Sequence, residues 1–172
     1  MKKIIILMLA VFIVLLSIVG VKNLVTLKNE MATNPHQSIE RTFAFIKPDA
    51  VAAHNAGKII DLIEHNGFDI IRLQKIQLSK NQAEQFYAVH KERPFFKELV
   101  TYMSSGPVVA LVLQKENAVQ AWRDLMGNTN PTTAAEGTIR KLYGTDITHN
   151  ATHGSDSKEN ALLELRQFFN DL

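Results

Sequence analysis

The run Asn150-Ala151-Thr152-His153-Gly154-Ser155-Asp156-Ser157 places an imidazole, hydroxyls and a carboxylate within a few positions of one another. Four readings compete for it. A serine nucleophile needs a strained elbow of the Gly-x-Ser-x-Gly kind and an oxyanion hole, and neither is marked here. Asn150-Ala151-Thr152 is formally a glycosylation sequon, but no other secretory sign accompanies it. A histidine just before a helix start lies where backbone N–H groups and the positive end of the dipole favour an incoming phosphate. Glu164, in the second turn of that helix, can reach back to one ring nitrogen and fix the tautomer, leaving the other as a nucleophile. The fourth reading is a plain polar loop.

Cations spaced along the chain favour the histidine. Lys47 follows the first apolar run, in Lys47-Pro48-Asp49-Ala50, where a sheet commonly presents catalytic groups. Arg123 falls in a helix ahead of a long loop, and Thr129 and Arg140 fall in that loop. Gathered around His153, they form a phosphate clamp without a P-loop. The one weak P-loop candidate, around Gly57-Lys58, has Ala52 where glycine is required and Ile59 where a hydroxyl is required. The histidines at 36, 54, 65, 90, 149 and 153 match no ligand spacing, and cysteine is absent. No protein-held metal is expected.

The elements that must position these groups follow from periodicity. Arg41 to Ile46 reads as a buried strand closed by Pro48. Ile59, Ile60 and Ile63 lie at helical spacing over 57–66, with Gly67 as C-cap. Phe68 to Leu78 alternates as a strand with one wet face. Ser79 and Gln82 fit a capping box that opens the next helix, which carries Tyr87 near its end. A short helix over Phe95 to Met103 precedes the strand of Val108 to Leu113. A helix over Glu116 to Met126 follows, then a stretch over 127–150 that is mostly loop. A short strand near His153 leads to a last helix, starting at Asp156 or Ser157, with Ala161, Leu162, Leu165, Phe168 and Phe169 on one face. This order predicts an α+β fold, a ferredoxin-like split βαβ sandwich with a four-stranded antiparallel sheet.

The chain has 172 residues, 46% apolar and 21% charged, which suits one ordinary globular domain. Its net charge of +2 is misleading, because residues 1–30 contribute +3 and leave −1 for the rest. No basic run with interleaved aromatics is present, so nucleic acid is not expected as the main partner. Ile4 to Val21 forms an apolar segment preceding the fold, long enough to cross a bilayer, with no clean cleavage pattern after it. Two readings stand: a membrane anchor through residues 4–21, or an extension ahead of a start at Met31. Residues 31–39 read as a linker and 40–172 as the folded domain.

Six segments carry a resemblance that spans the whole domain. "ERTFAFIKPDAV" at 40–51, "HKERPFF" at 90–96, "SGPVV" at 105–109, "GNTNP" at 127–131, "GTIR" at 137–140 and "NATHGSDS" at 150–157 look like the successive signatures of nucleoside diphosphate kinases, in order and in register. The resemblance implies ping-pong transfer of the terminal phosphate of a nucleoside triphosphate, usually ATP, to a nucleoside diphosphate through phosphohistidine at His153. It implies support of the imidazole by Glu164 and Ser155, and phosphate binding by Lys47, Arg123, Thr129 and Arg140. Asn150 would contact the ribose and phosphate region, Phe95 would stack on the base, and Tyr87 would help hold Lys47 and the phosphate. Magnesium would be held mainly by nucleotide phosphates and water. A homo-oligomer, tetramer or hexamer, is further implied, and the need for ATP, which a periplasmic domain would lack, points to the cytoplasm. The alternative is a membrane-tethered nucleotide-binding or scaffolding protein with incidental activity. The segment 141–149 is less typical of the family than its flanks.

Overall fold

The structure, a computed structural model, describes residues 39–170. Their order is β1 (Ile39–Ile46), α1 (Pro48–Ala52), α2 (Ala56–His65), β2 (Asp69–Gln77), α3 (Lys80–Phe86), a 3₁₀ turn (Ala88–His90), α4 (Phe96–Met103), β3 (Pro107–Glu116), α5 (Ala118–Met126), α6 (Ile139–Tyr143), β4 (Thr152–Gly154) and α7 (Lys158–Phe168). The four strands form one sheet in the order β2-β3-β1-β4, with every neighbouring pair antiparallel.

Both faces of the central strands are buried, which explains why β1 and β3 read as near-continuous apolar runs rather than alternating ones. Phe43, Phe45, Val108, Ala110 and Val112 turn to one layer, with Phe86, Val100, Met103 and Leu165 from α3, α4 and α7. Ala44, Ile46, Val109, Leu111 and Leu113 turn to the other, with Ile59, Ile63, Trp122 and Met126 from α2 and α5. The capping box at Ser79 and Gln82 is present, and Ser157 caps α7 by accepting from the Asn160 N–H.

Four local differences from the sequence pattern have physical causes. Pro48 does not merely close β1 but occupies the first turn of α1, where its missing N–H costs nothing. The segment 127–150 contains α6, five residues that the Thr, Asn and Gly content conceals. In β2 the register shifts between Ile70 and Arg72, so Ile71 and Ile76, five residues apart, pack on the same layer and simple alternation fails. Leu162 stands outward at 56% exposure, because Ala161, Leu165 and Phe168 form the inward stripe of α7. Among the described residues no helix is long and apolar enough to cross a membrane, and the apolar run 4–21 and most of the linker lie outside them.

Candidate active site

His153 owes its position to β4, which pairs it with Phe45 of β1 and Gly154 with Ala44. Its ring meets Phe86 edge-on at 4.9 Å between centroids. On the other side of the strand, Trp122 of α5 donates its indole N–H to the His153 carbonyl at 3.2 Å. A Cβ on Gly154 would collide with the Trp122 ring and the Met126 methyl. The glycine therefore lets α5 lie against the strand.

Because Ser157 fixes the start of α7, Glu164 arrives over the imidazole. Its Oε2 lies 3.2 Å from His153 Nε2 and accepts a hydrogen bond from Ser155 Oγ at 2.7 Å. An ionised carboxylate only accepts, so Nε2 carries the proton and Nδ1 keeps its lone pair. Ser155 is fully buried and its hydroxyl is committed to Glu164, which removes it as a nucleophile.

Lys47 leaves the end of β1 as the residue before α1, only 6% exposed. Its Nζ donates to the Thr148 carbonyl at 2.9 Å and to Asn150 Oδ1 at 2.7 Å. Burial pulls its pKa down to about 8; the Asp49 charge opposes that shift and Arg140 adds to it. The ring lying over Nζ, at 5.4 Å, is that of Tyr102. Asn150 is 3% exposed and spends its amide N–H groups on the Thr129 and Ile147 carbonyls at 2.9 and 3.0 Å, so the sequon has no room for a glycan. Next comes Ala151 at φ 66°, inside a tight turn closed by the Thr152 N–H on the Asn150 carbonyl at 2.8 Å. A side chain in this left-handed region costs about 1–2 kcal/mol, so the turn needs outside support.

Arg140, on α6, donates to the Gly127 carbonyl at 2.9 Å and the Thr152 carbonyl at 3.3 Å, while its Nε is buried without a partner. Burial, and then the charge of Arg123, lower its pKa to about 10. Tyr87 is buried at the end of α3 and its hydroxyl has no hydrogen-bond partner; burial first and Glu164 second push the phenol well above its usual range. Phe95, ahead of α4, is 48% exposed and lies 5.7 Å from the His90 ring. Arg123 and Thr129 are exposed.

One cavity of about 580 Å³ is lined by nine of the residues singled out above, Lys47, Tyr87, Phe95, Arg123, Thr129, Arg140, Asn150, His153 and Glu164, with Ser155 behind Glu164. Three residues behind its walls escaped the sequence reading. Trp122, the one tryptophan, carried only a core signal; Asp49 and Tyr102 stand far apart in sequence and had no motif signal beyond Asp49's place beside Lys47. Among the described residues no group of three histidines or carboxylates is placed to hold a metal ion. With cations dominating the cavity, a divalent ion fits only as part of a phosphate-bearing ligand.

An imidazole with one nitrogen tied to a carboxylate, set among cations in one cavity, suits a phosphotransferase. The family profile described as nucleoside diphosphate kinase matches residues 40–172. A nucleoside diphosphate kinase of Geotalea uraniireducens is 58% identical over 134 residues, covering 78% of this chain and 98% of the relative. The Aquifex aeolicus nucleoside diphosphate kinase structure superposes with a TM-score of 0.75 at 44% identity, covering 77% of this chain and 96% of that one. A halophilic nucleoside diphosphate kinase from Halobacterium salinarum, solved in complex with CDP, gives a TM-score of 0.75 at 38% identity, covering 78% and 90%. The chain belongs to the nucleoside diphosphate kinase family, enzymes that move the terminal phosphate of a nucleoside triphosphate to a nucleoside diphosphate. Its substrates are therefore nucleotides, and a divalent metal accompanies the reaction.

Proposed function

We propose that this chain carries out the transfer in two half-reactions through His153. Nδ1 attacks the terminal phosphorus of the triphosphate, the bond to the bridging oxygen breaks, and the diphosphate leaves with that electron pair. A second diphosphate enters, its terminal phosphate oxygen attacks the phosphohistidine, and the P–N bond breaks to return the imidazole. Glu164, steadied by Ser155, holds the Nε2–H and offsets the positive charge that the ring acquires. The observation that carries this reading is the Nε2 to Glu164 contact, which leaves Nδ1 as the nitrogen for the cavity.

Lys47, Arg123, Thr129 and Arg140 take the phosphates, and the unpartnered Tyr87 hydroxyl and Arg140 Nε supply further donors there. Asn150 contacts the ribose and phosphate region. Phe95, at the mouth, stacks on the base, a contact that tolerates any base because each has a π-face. Magnesium comes on the phosphates with the nucleotide, where it offsets their charge. The CDP bound by the Halobacterium relative supports a pyrimidine diphosphate among the substrates. The folded unit of 40–172 works as a homo-oligomer, tetramer or hexamer, in the cytoplasm. Residues 1–30 add either a membrane anchor or an upstream extension, and sequencing the N-terminus of the native protein separates the two.

Brief exposure to radiolabelled ATP should leave acid-labile, alkali-stable label on the protein. His153→Ala should lose both label and exchange activity. Label retained on the His153→Ala protein would sink the assignment.

A further inference from the structure

Asp49 and Tyr102 line no part of the cavity, yet they hold two of its parts. Asp49 Oδ1 accepts the Tyr102 hydroxyl at 2.7 Å, and Oδ2 accepts the Ala151 N–H at 2.9 Å. Ala151 is the strained residue of the turn between Asn150 and β4, so the carboxylate grips the backbone where strain is stored. From the other side, the Lys47 N–H donates to the Ala151 carbonyl at 2.9 Å. The Tyr102 ring lies over Lys47 Nζ and meets the His149 ring edge-on at 4.5 Å, beneath the same turn.

We propose that Asp49 is a positioning residue for phosphoryl transfer: through its bond to the Ala151 N–H it fixes the turn that sets both the Lys47–Asn150 contact and the nitrogen of His153, with Tyr102 as its brace. The inference rests on the function proposed for Lys47 and His153. Two separable contributions follow. The first is geometric and acts on the rate of the chemical step, since a displacement of about 1 Å at the reacting atoms costs on the order of a hundredfold. The second is electrostatic. The charged groups acting on Lys47 are Asp49, Arg140 and Asp146, and Asp49 leads those that sustain its protonation. In this protein Asp49→Asn removes the charge but keeps an acceptor for Ala151, while its amide donates to the Tyr102 oxygen. Asp49→Ala removes both.

The test is single-turnover formation of phosphohistidine from radiolabelled ATP by the full chain, with steady-state kcat and KM from pH 6 to 9.5. Asp49→Ala should slow His153 phosphorylation about tenfold to a hundredfold. Asp49→Asn should recover most of that rate near pH 7, while the pH above which KM climbs moves below the wild-type value. Tyr102→Phe, which keeps the ring and loses the brace, should fall between wild type and Asp49→Ala. Phosphorylation by Asp49→Ala at the wild-type rate would overturn the proposal, as would an Asp49→Asn protein that is as slow as Asp49→Ala and has an unshifted pH profile. Should Asp49→Ala not fold, Asp49→Asn and Tyr102→Phe decide it alone. Wild-type protein that takes no label at His153 refutes the proposed function itself, a result distinct from labelled wild type with indifferent Asp49 variants.

Discussion

The two walls of the cavity are built on opposite terms. Lys47, Asn150 and Tyr87 are buried, and Lys47 and Asn150 are already hydrogen-bonded to backbone carbonyls before any ligand arrives. Lining the same cavity, Arg123, Thr129 and Phe95 stand in solvent. The buried wall bears its cost in the free protein, as desolvation. The exposed wall bears none until a ligand orders its side chains, when each immobilised one costs about 0.5–1.5 kcal/mol. Substitutions on the two walls should therefore separate stability from activity in different ways.

Lys47→Met makes the sharpest break. The fall in the Lys47 pKa from 10.5 to about 8 corresponds to about 3 kcal/mol by which the fold disfavours the charge. Removing the ammonium relieves that penalty and leaves two acceptors short of a donor, at about 1–3 kcal/mol each. The terms nearly cancel, so thermal unfolding should place the variant within about 1–2 kcal/mol of wild type. Turnover should fall on the order of 10²–10³-fold, because a desolvated cation against the phosphates is gone. Arg123→Ala makes the matching test on the exposed wall: a loss of about tenfold to a hundredfold in kcat/KM, with a stability change inside about 0.5 kcal/mol. Large destabilisation by Arg123→Ala, or by Lys47→Met, would erase the distinction.

Acidity separates the walls a second way. Lys47 has a folded pKa below its unfolded value, so the native state disfavours the proton. Between about pH 8 and 10.5 the unfolded chain binds a proton that the native state has released, and this group's contribution to stability rises with pH. Below pH 8 the full penalty is present. Bound phosphates favour the charged ammonium, so nucleotide binding above pH 8 should take up a proton and weaken as pH rises. Calorimetry in buffers of differing ionisation enthalpy measures that uptake, and Lys47→Met should abolish it while Arg123→Ala keeps it.

How far these features were legible in the chain follows the same division. The strands β1 and β3, the capping box and the C-terminal helix depend on local pattern, and the sequence reading located them to within a few residues. The bulge in β2 depends on pairing with β3 and leaves no local mark. Helix α6 lies in a stretch whose composition favours turns, and tertiary packing around Ile139 overrides it. Nine of the candidate site residues line one cavity, and their motif order carried that information. The supports did not show, because Trp122, Asp49 and Tyr102 act by meeting distant backbone at His153 and Ala151. Gly154 showed as a glycine, but its cause, the indole across the strand, required the fold.

The smallest expected effect sharpens the comparison most on the exposed side. Phe95 has its ring half in solvent beside His90 and no hydrogen bond to lose, so Phe95→Ala should leave unfolding almost unchanged. Stacking of a base on an aromatic ring is worth about 1–3 kcal/mol, and a half-exposed platform belongs at the low end. KM for each nucleoside diphosphate should therefore rise about fivefold to tenfold, by similar factors for purines and pyrimidines, with the rate of His153 phosphorylation at saturating ATP little altered. Phe95→Trp should restore affinity, since a larger π-face replaces the lost one. A KM rise confined to one base would mean that edge contacts, not the ring face, select the nucleotide. A fall in the phosphorylation rate as large as that of Lys47→Met would mean that the exposed wall, too, positions the reacting atoms.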